Sequence, residues 1–206
     1  MGLVEEAKVR MARYGSEHKE ATRRRIVETA GRRLKRDGID GSGIATLMAD
    51  AGLTNGAFYA HFDSKDDLVA TVLGDQLGRQ ASEFKELPGG RAGLEAFVGE
   101  YLSAAHRDHP EIGCPSAALL DEVGRCTAAT RKAYTAGTQA ILDEICARLA
   151  PRDPESAGGT ALSLFTMLVG SMQLARAVSD TKLSDRVLEE GVRSAEALIR
   201  AAGKRK

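Results

Sequence analysis

Apolar residues recur every three to four positions along most of the chain, which is the period of an amphipathic helix. No stretch alternates apolar and polar residues over more than four positions, so the pattern predicts an all-α protein without strands. A first helix over 19–37 ends with basic residues and Gly38, a typical stop signal. Further helices are predicted over 44–51, 55–62, from Ser64 to about Leu87, 91–108, 115–124, 127–149, 154–179 and 184–202.

The first three predicted helices have the arrangement of a helix–turn–helix unit, because two short helices follow a longer one and are separated by a turn that contains Gly52. Phe58 and Phe62 are four residues apart and therefore face the core together. A second face is left for a DNA groove, where Asn55 suits a base edge, adenine above all, while Gly56 and Ala60 allow close approach. The donors suited to phosphate oxygens belong to Tyr59, His61 and Lys65. Alternatively, Asn55 only caps the helix, and Tyr59 and His61 only pack against their neighbours.

Charge is distributed unevenly along a chain whose formal net charge is zero. Residues 7–36 contain 11 basic and three acidic residues, a local excess of +8, so the remainder sums to −8. A basic end attracts polyanions such as nucleic acid. The alternative is a solvated helix face.

The segments AGLTNGAFYAHF (51–62) and SKDDL (64–68) resemble the DNA-binding domain of the tetracycline-repressor (TetR/AcrR) family, and the resemblance covers about residues 14–70. It implies an all-helical homodimer whose N-terminal helices bind an inverted-repeat operator in double-stranded DNA. It also implies C-terminal helices that form a ligand pocket, with the last two pairing across the dimer. The segment beginning at Thr54 would lie against the bases, and the family's operator contacts fall on Asn55, Gly56, Ala57, Tyr59, Ala60, His61 and Lys65.

Two departures from the family pattern reduce the number of expected base contacts. Ala45 stands where many members have Arg or Lys, and Gly43 and Ala57 stand where many have Thr or Ser. Specificity would then depend on Asn55, on DNA shape, or on a basic N-terminal arm that enters a minor groove. The arm residues are Lys8, Arg10 and Arg13. A disordered tail is the alternative for this arm.

The chain is divided by Pro88-Gly89-Gly90, which we interpret as a hinge. The predicted parts are an arm (1–18), a helix–turn–helix domain (19–65), a connecting helix (66–87) and an effector-binding and dimerisation domain (88–206). The effector is an unknown small molecule, and its candidate pocket residues are Phe97, Tyr101, Phe165, Met167 and Met172. An apolar stripe on the last helix predicts a homodimer interface through Leu188, Val192, Ala195, Leu198 and Ile199. Alternatively, this helix packs only on its own chain.

Outside the predicted helix–turn–helix domain, Cys114 is the residue whose position most strongly indicates a chemical role. Pro115 suits the first position of a helix, so Cys114 becomes its N-cap, where the helix dipole favours the thiolate. The GCPSAAL pattern resembles that of family members that sense electrophiles or oxidants. Covalent modification of Cys114 would release DNA; alternatively, Cys114 is an unreactive residue in a tight corner. Cys126 and Cys146 are expected to pack in the core.

Other function classes receive less support. His106, His109 and Cys114 could together offer three ligands to zinc, but the spacing is common by chance, and we predict neither a metal nor a cofactor. No GxSxG, P-loop, HExxH or GxGxxG motif calls for an enzyme. No window approaches the roughly 18 apolar residues of a membrane span, and three unpaired cysteines suit the cytoplasm. The sequence thus predicts a ligand-responsive regulator, most simply a repressor, and the second choice is a small-molecule or metal sensor whose output is not DNA binding.

Overall fold

The computed structural model describes the backbone of residues 2–202 and the side chains of residues 14–202. This part of the chain is helical and contains no β-strand, so the all-α prediction is confirmed. The α-helices are α1 (Gly2–Asp37), α2 (Ile44–Asp50), α3 (Lys65–Glu86), α4 (Gly90–Tyr101), α5 (Ala104–Asp108), α6 (Pro115–Val123), α7 (Ala128–Leu149), α8 (Gly158–Ala177) and α9 (Thr181–Ala202). Three 3₁₀ helices cover Asn55–Ala60, Pro110–Ile112 and Pro154–Ala157.

The N-terminal part is a helix–turn–helix around a small apolar core. Phe58 and Phe62 are buried as their spacing predicts, with their ring centroids 5.8 Å apart. Gly52 has a φ of +67° in the turn, a left-handed conformation that glycine adopts without steric cost. The core is completed by Ile26, Val27, Ala30, Leu34, Ile39, Leu47, Met48 and Ala51.

Helix α3 begins with the cap that its sequence predicts. The Ser64 hydroxyl accepts a hydrogen bond from the Asp67 amide at 3.1 Å. The Asp67 carboxylate accepts one from the Asp63 amide at 3.2 Å, one residue earlier than in a standard capping box. These bonds fix the direction in which α3 leaves the helix–turn–helix.

Helix α3, which contains the predicted connecting helix, contributes residues to both cores. Its first half, through Leu73, packs in the N-terminal core, and its second half, from Leu77, packs in the C-terminal core. Leu119 and Val123 of α6 also pack in the N-terminal core. Helix α3 therefore joins two neighbouring apolar cores, against both of which Tyr134 packs half-buried, and the residues Pro88-Gly89-Gly90 turn the chain from α3 into α4.

The C-terminal part is a helical bundle in which α7 packs along α3 and α9 packs along α8. At the crossing with α3, a side chain added at Gly137 would come within 2.5 Å of the Leu77 Cβ, so only glycine allows this approach. By length and mean hydropathy (1.2), Pro154–Ala177 is the one described helical segment that could cross a membrane, contrary to the expectation that none could. Because its apolar residues fill the core between α7 and α9, we assign it to the protein interior.

The stripe on α9 does not need a second chain to cover it. Leu188, Ala195 and Ile199 are buried within the chain, and Val192 packs half-buried against the same core. The premise of the dimer prediction is therefore wrong for these four residues, whereas the half-buried Leu198 keeps part of its side chain at the surface. The exposed leucines of this region lie elsewhere, at Leu162 and Leu174 of α8 and Leu183 of α9.

Two predicted helices differ in form from the expectation. The segment 91–108 is broken after Tyr101, because Ser103 caps a new helix by accepting a hydrogen bond from the His106 amide at 3.1 Å. The segment 55–62 forms a 3₁₀ helix rather than an α-helix. The tighter 3₁₀ turn is common in helices of this length.

Candidate functional site

The predicted DNA-facing surface is exposed to solvent, and a buried side chain on its inner side anchors it. Thr54, Asn55, Gly56 and Ala60 are exposed, and the Tyr59 side chain is 68% exposed. Thr54 is at the N-cap position and makes no side-chain cap bond. The buried Phe58 behind this face anchors it, so these groups project outward from a fixed backbone.

The remaining predicted contact residues are tied to the protein. The Lys65 ammonium donates to the Ile39 carbonyl at 2.5 Å, which joins α3 to the loop before α2. His61 is half-buried, its carbonyl accepts from Arg23, and its buried Nδ1 has no partner within the described residues. Burial, with Lys19 and Arg23 adding, lowers the pKa of His61. Ala57 is half-buried. Lys65, His61 and Ala57 therefore fix the position of the 3₁₀ helix Asn55–Ala60, in addition to any contact that they make with DNA.

Part of the basic excess of α1 is neutralised inside the molecule. Arg33 pairs with Asp50 and Asp37, Arg36 pairs with Asp37, and Arg32 pairs with Glu28 at 2.9 Å. Arg23 lies over the Phe62 ring, 4.1 Å from its centroid.

Within the described residues, the cations of this helix that are exposed and unpaired are Lys19, Arg24 and Arg25. The side chains of Lys8, Arg10 and Arg13 lie outside the described residues. The local +8 therefore overstates the charge that α1 offers to a polyanion.

A cavity of about 470 Å³ opens where α1 and α3 meet α4, α5 and the loop before α6. Phe97 and Tyr101 line it, as two of the five candidate pocket residues. Phe165 and Met172 are buried in the C-terminal core instead, and Met167 packs half-buried against that core. Of the five candidates, only the two on α4 therefore line this cavity.

His106 connects two walls of this cavity. Its Nε2 accepts from the Cys114 amide at 3.0 Å, so its Nδ1 carries the proton and donates to the Tyr101 carbonyl at 2.7 Å. Burial lowers the pKa of His106, and Arg176 and Lys35 lower it further against the opposing carbonyl bond.

Because both ring nitrogens of His106 are engaged and His109 is mostly exposed beside Glu111, the zinc alternative has no geometric basis. No group of three or more His, Cys, Asp or Glu side chains in the described part of the chain could hold a metal ion.

Cys114 is the N-cap of α6, with Pro115 in the first turn, as the sequence predicts. Its side chain is 5% exposed and borders the cavity. A reagent must therefore enter the cavity to reach the thiol. Cys126 and Cys146 are half-buried, and burial raises the pKa of both thiols.

Lys35 is a cavity residue that sequence reasoning missed, because its basic character made it part of a helix stop signal. It is 8% exposed, and its ammonium donates to the Gly113 carbonyl at 2.8 Å. Burial, aided by Arg79 and Arg32, lowers the pKa of Lys35 to about 8. No local pattern could reveal this role, since Gly113 is distant in sequence and meets Lys35 only in the folded chain.

Comparison with known proteins agrees with this architecture. The family described as "Bacterial regulatory proteins, tetR family" matches residues 26–72, which span the helix–turn–helix and the start of α3. The probable HTH-type transcriptional regulator ArpR of Pseudomonas putida is 34% identical over 83 residues, covering 37% of this chain and 40% of that protein. The HTH-type transcriptional regulator TtgR, also of Pseudomonas putida, is 36% identical over 63 residues, covering 31% of this chain and 30% of that protein. The matches thus span less than half the length of these relatives.

Solved structures share the fold over nearly the whole chain. The reduced form of E. coli NemR has a TM-score of 0.73 at 19% identity, covering 85% of this chain and 95% of that chain. A TetR-family regulator from Cytophaga hutchinsonii has a TM-score of 0.73 at 20% identity, covering 89% of this chain and 96% of that chain. Together with the helix–turn–helix geometry, the sequence match identifies residues 26–72 as a tetR-family helix–turn–helix, and the chain as a whole has the fold of solved TetR-family regulators.

Proposed function

We propose that this protein is a DNA-binding transcriptional regulator, acting as a repressor, that a small-molecule or thiol-reactive signal releases from its operator. The observation that carries the proposal is the exposed face of the 3₁₀ helix Asn55–Ala60, held by a buried phenylalanine and flanked by α1. Asn55 and Tyr59 offer hydrogen-bonding groups on this face, and Lys19, Arg24 and Arg25 of α1 suit phosphates.

An inverted-repeat operator requires two copies of this face, so we propose a homodimer. The outer face of α8 supports it: Leu162, Thr166, Gly170 and Leu174 follow at four-residue spacing and are all exposed. Both leucines are 52% exposed, and the smaller residues between them allow a partner helix to approach closely. We assign the dimer contact to this stripe and to the neighbouring Leu183 and Leu198 of α9, in place of the buried residues of α9.

The cavity supports a signal-responsive role because its walls come from both parts of the chain. Lys35 of α1 bonds directly to Gly113, so a change at the cavity wall acts on the helix whose Arg23 contacts His61 and Phe62 next to the DNA-facing surface. To shift the protein from mostly DNA-bound to mostly free, the signal molecule must bind the released conformation more tightly than the DNA-binding one, by several kcal/mol.

The proposal is tested by measuring binding to duplex DNA taken from the region upstream of the gene that encodes this protein. The Asn55→Ala variant should lose about 1–3 kcal/mol of specific binding, measured by fluorescence anisotropy. Arg24→Ala should weaken binding to all sequences and reduce the salt slope by about one. Arg152→Ala, an exposed cation in the loop after α7, is the matched control and should change neither.

If the wild-type chain binds no duplex at low salt, the protein is instead a sensor whose output is not DNA binding.

Alkylation tests whether Cys114 takes part in release. Iodoacetamide should abolish operator binding of the wild type but spare Cys114→Ser, while Cys126→Ser and Cys146→Ser should behave as wild type. Equal loss in Cys114→Ser would exclude Cys114 as the sensing thiol.

A further inference from the structure

The cavity contains a buried cation that forms no ion pair with a carboxylate of the described residues. Lys35 is 8% exposed, and its one hydrogen-bond partner in the described chain is the neutral Gly113 carbonyl. An ammonium has three donors, so two remain after this bond. Burying a charge without a counter-ion is costly, and an anion that enters the cavity would offset part of that cost.

The carboxylates near Lys35 do not supply that anion, and the acidic group that acts on Lys35 most strongly is the Cys114 thiol of the same cavity. Glu28 is paired with Arg32, and Glu111 lies 3.3 Å from His109. Glu83 and Glu100 also line the cavity, but both are exposed, whereas Lys35 is buried. The free carboxylates are therefore in contact with solvent, and the uncompensated positive charge is internal.

The opposite wall is aromatic and has an unused hydrogen-bonding group. The Phe97 and Tyr101 rings lie with their centroids 5.5 Å apart. The Tyr101 side chain is 4% exposed, and its hydroxyl lies beside the Cys114 thiol without a hydrogen bond of normal geometry to any described residue. A buried hydroxyl without a partner costs free energy that a ligand oxygen would recover.

From these three features we propose that the cavity binds a small aromatic carboxylic acid as its anion. The carboxylate pairs with the Lys35 ammonium, the ring packs against Phe97 and Tyr101, and a ligand oxygen accepts from the Tyr101 hydroxyl. A volume of about 470 Å³ accommodates a fused two-ring acid. The inference rests on the proposed function only in treating this occupant as the signal, because binding itself does not require DNA.

Three ligands of the same shape and different charge test the proposal directly. 2-Naphthoate is anionic, 2-naphthamide is neutral and 2-naphthylmethylamine is cationic, and their fluorescence is free of tryptophan background because the chain has none. We expect the naphthoate to bind at least roughly tenfold more tightly than either analogue. Equal binding of the three, or preference for the amine, would overturn the proposal, the latter by favouring Glu83 and Glu100 as the recognition groups.

Substitution of the cation provides the second measurement. Lys35→Met should remove the preference for the anion and Lys35→Arg should retain it, whereas Arg152→Met should have no effect. Circular dichroism checks that each variant is folded. Unchanged preference in a folded Lys35→Met variant would contradict the assignment of Lys35.

Protection of Cys114 locates the ligand without any change at Lys35. Saturating 2-naphthoate should slow alkylation of Cys114 at least roughly tenfold, because the ligand fills the route to this thiol. Cys126 and Cys146 lie outside the cavity lining and serve as internal controls. Binding without protection of Cys114 would place the ligand elsewhere and refute the site. Failure to bind DNA with naphthoate binding intact would refute only the regulatory function.

Discussion

At the scale of the residue, Arg176 shows how one side chain joins three helices. Its guanidinium on α8 donates to the carbonyls of His106 at 2.6 Å, Arg107 at 3.1 Å and Ala117 at 3.1 Å. Burial lowers the pKa of Arg176, although a guanidinium remains charged at any ordinary pH. The side chain thereby fixes α5 and α6, and with them one wall of the cavity.

Replacing Arg176 by Met should lower the free energy of unfolding by about 2–4 kcal/mol, because partly buried carbonyls lose a charged donor. Urea denaturation followed by circular dichroism measures the change. Arg193→Met is the matched control, since Arg193 is exposed and forms a surface ion pair with Glu190; we expect a change below about 1 kcal/mol there. Equal effects would show that the three carbonyl bonds contribute little.

His106 gives the stability a pH dependence whose sign follows from its lowered pKa. As the pH falls below the ordinary value of 6.5, the unfolded chain takes up a proton that the folded chain still resists. The contribution of His106 is therefore complete above that pH and decreases as the pH falls toward its folded-state pKa. His106→Gln should have a melting temperature that falls less over this range, with His61 unchanged in both proteins. A steeper fall in the variant would contradict the assigned neutral form.

At the scale of the element, the crossing of α3 and α7 depends on the absence of a side chain. Gly137→Ala would place a methyl group 2.5 Å from the Leu77 Cβ, so the helices must separate. We expect a loss of about 1–3 kcal/mol in the free energy of unfolding. Gly78→Ala on α3 meets nothing within 4 Å and should instead stabilise by about 0.5–1 kcal/mol, through higher helix propensity. Calorimetry of both variants measures these changes. An unchanged free energy of unfolding in Gly137→Ala would show that the two helices can shift apart at little cost.

Local features of the elements could be predicted from the sequence, whereas most long-range contacts could not. The cap at Ser64, the turn at Gly52 and the core positions of Phe58 and Phe62 follow from spacing within a few residues. The break before Ser103 was missed because its helical period continues across the cap. The link between Lys35 and Gly113 has no local signal, since each residue also suits the end or start of a helix. The dimer residues on α9 were predicted from the periodicity of one helix, which cannot tell which apolar face the chain itself covers.

At the scale of the whole molecule, the proposed dimer gives a prediction about assembly. Leu162→Glu combined with Leu174→Glu should yield a folded monomer, because both side chains lie on the exposed face of α8. Sedimentation velocity measures the mass, and operator affinity should fall because one head binds without its partner. Leu120→Glu on α6 is the matched control, with a leucine that is 38% exposed. A double variant that remains dimeric would place the interface on another surface.

The position of α3 in two cores determines how this protein could be recombined with its relatives. Exchanging only residues 1–87 would pair a new α3 with the old Gly137 crossing and deprive the new head of its matched Leu119 and Val123. A junction inside α3, between Leu73 and Leu77, keeps the second half of that helix with α7, and transferring α6 with the head preserves the remaining contacts. Hybrid regulators with altered operator choice should therefore be assembled from two non-contiguous stretches of sequence rather than by a single splice at the proline.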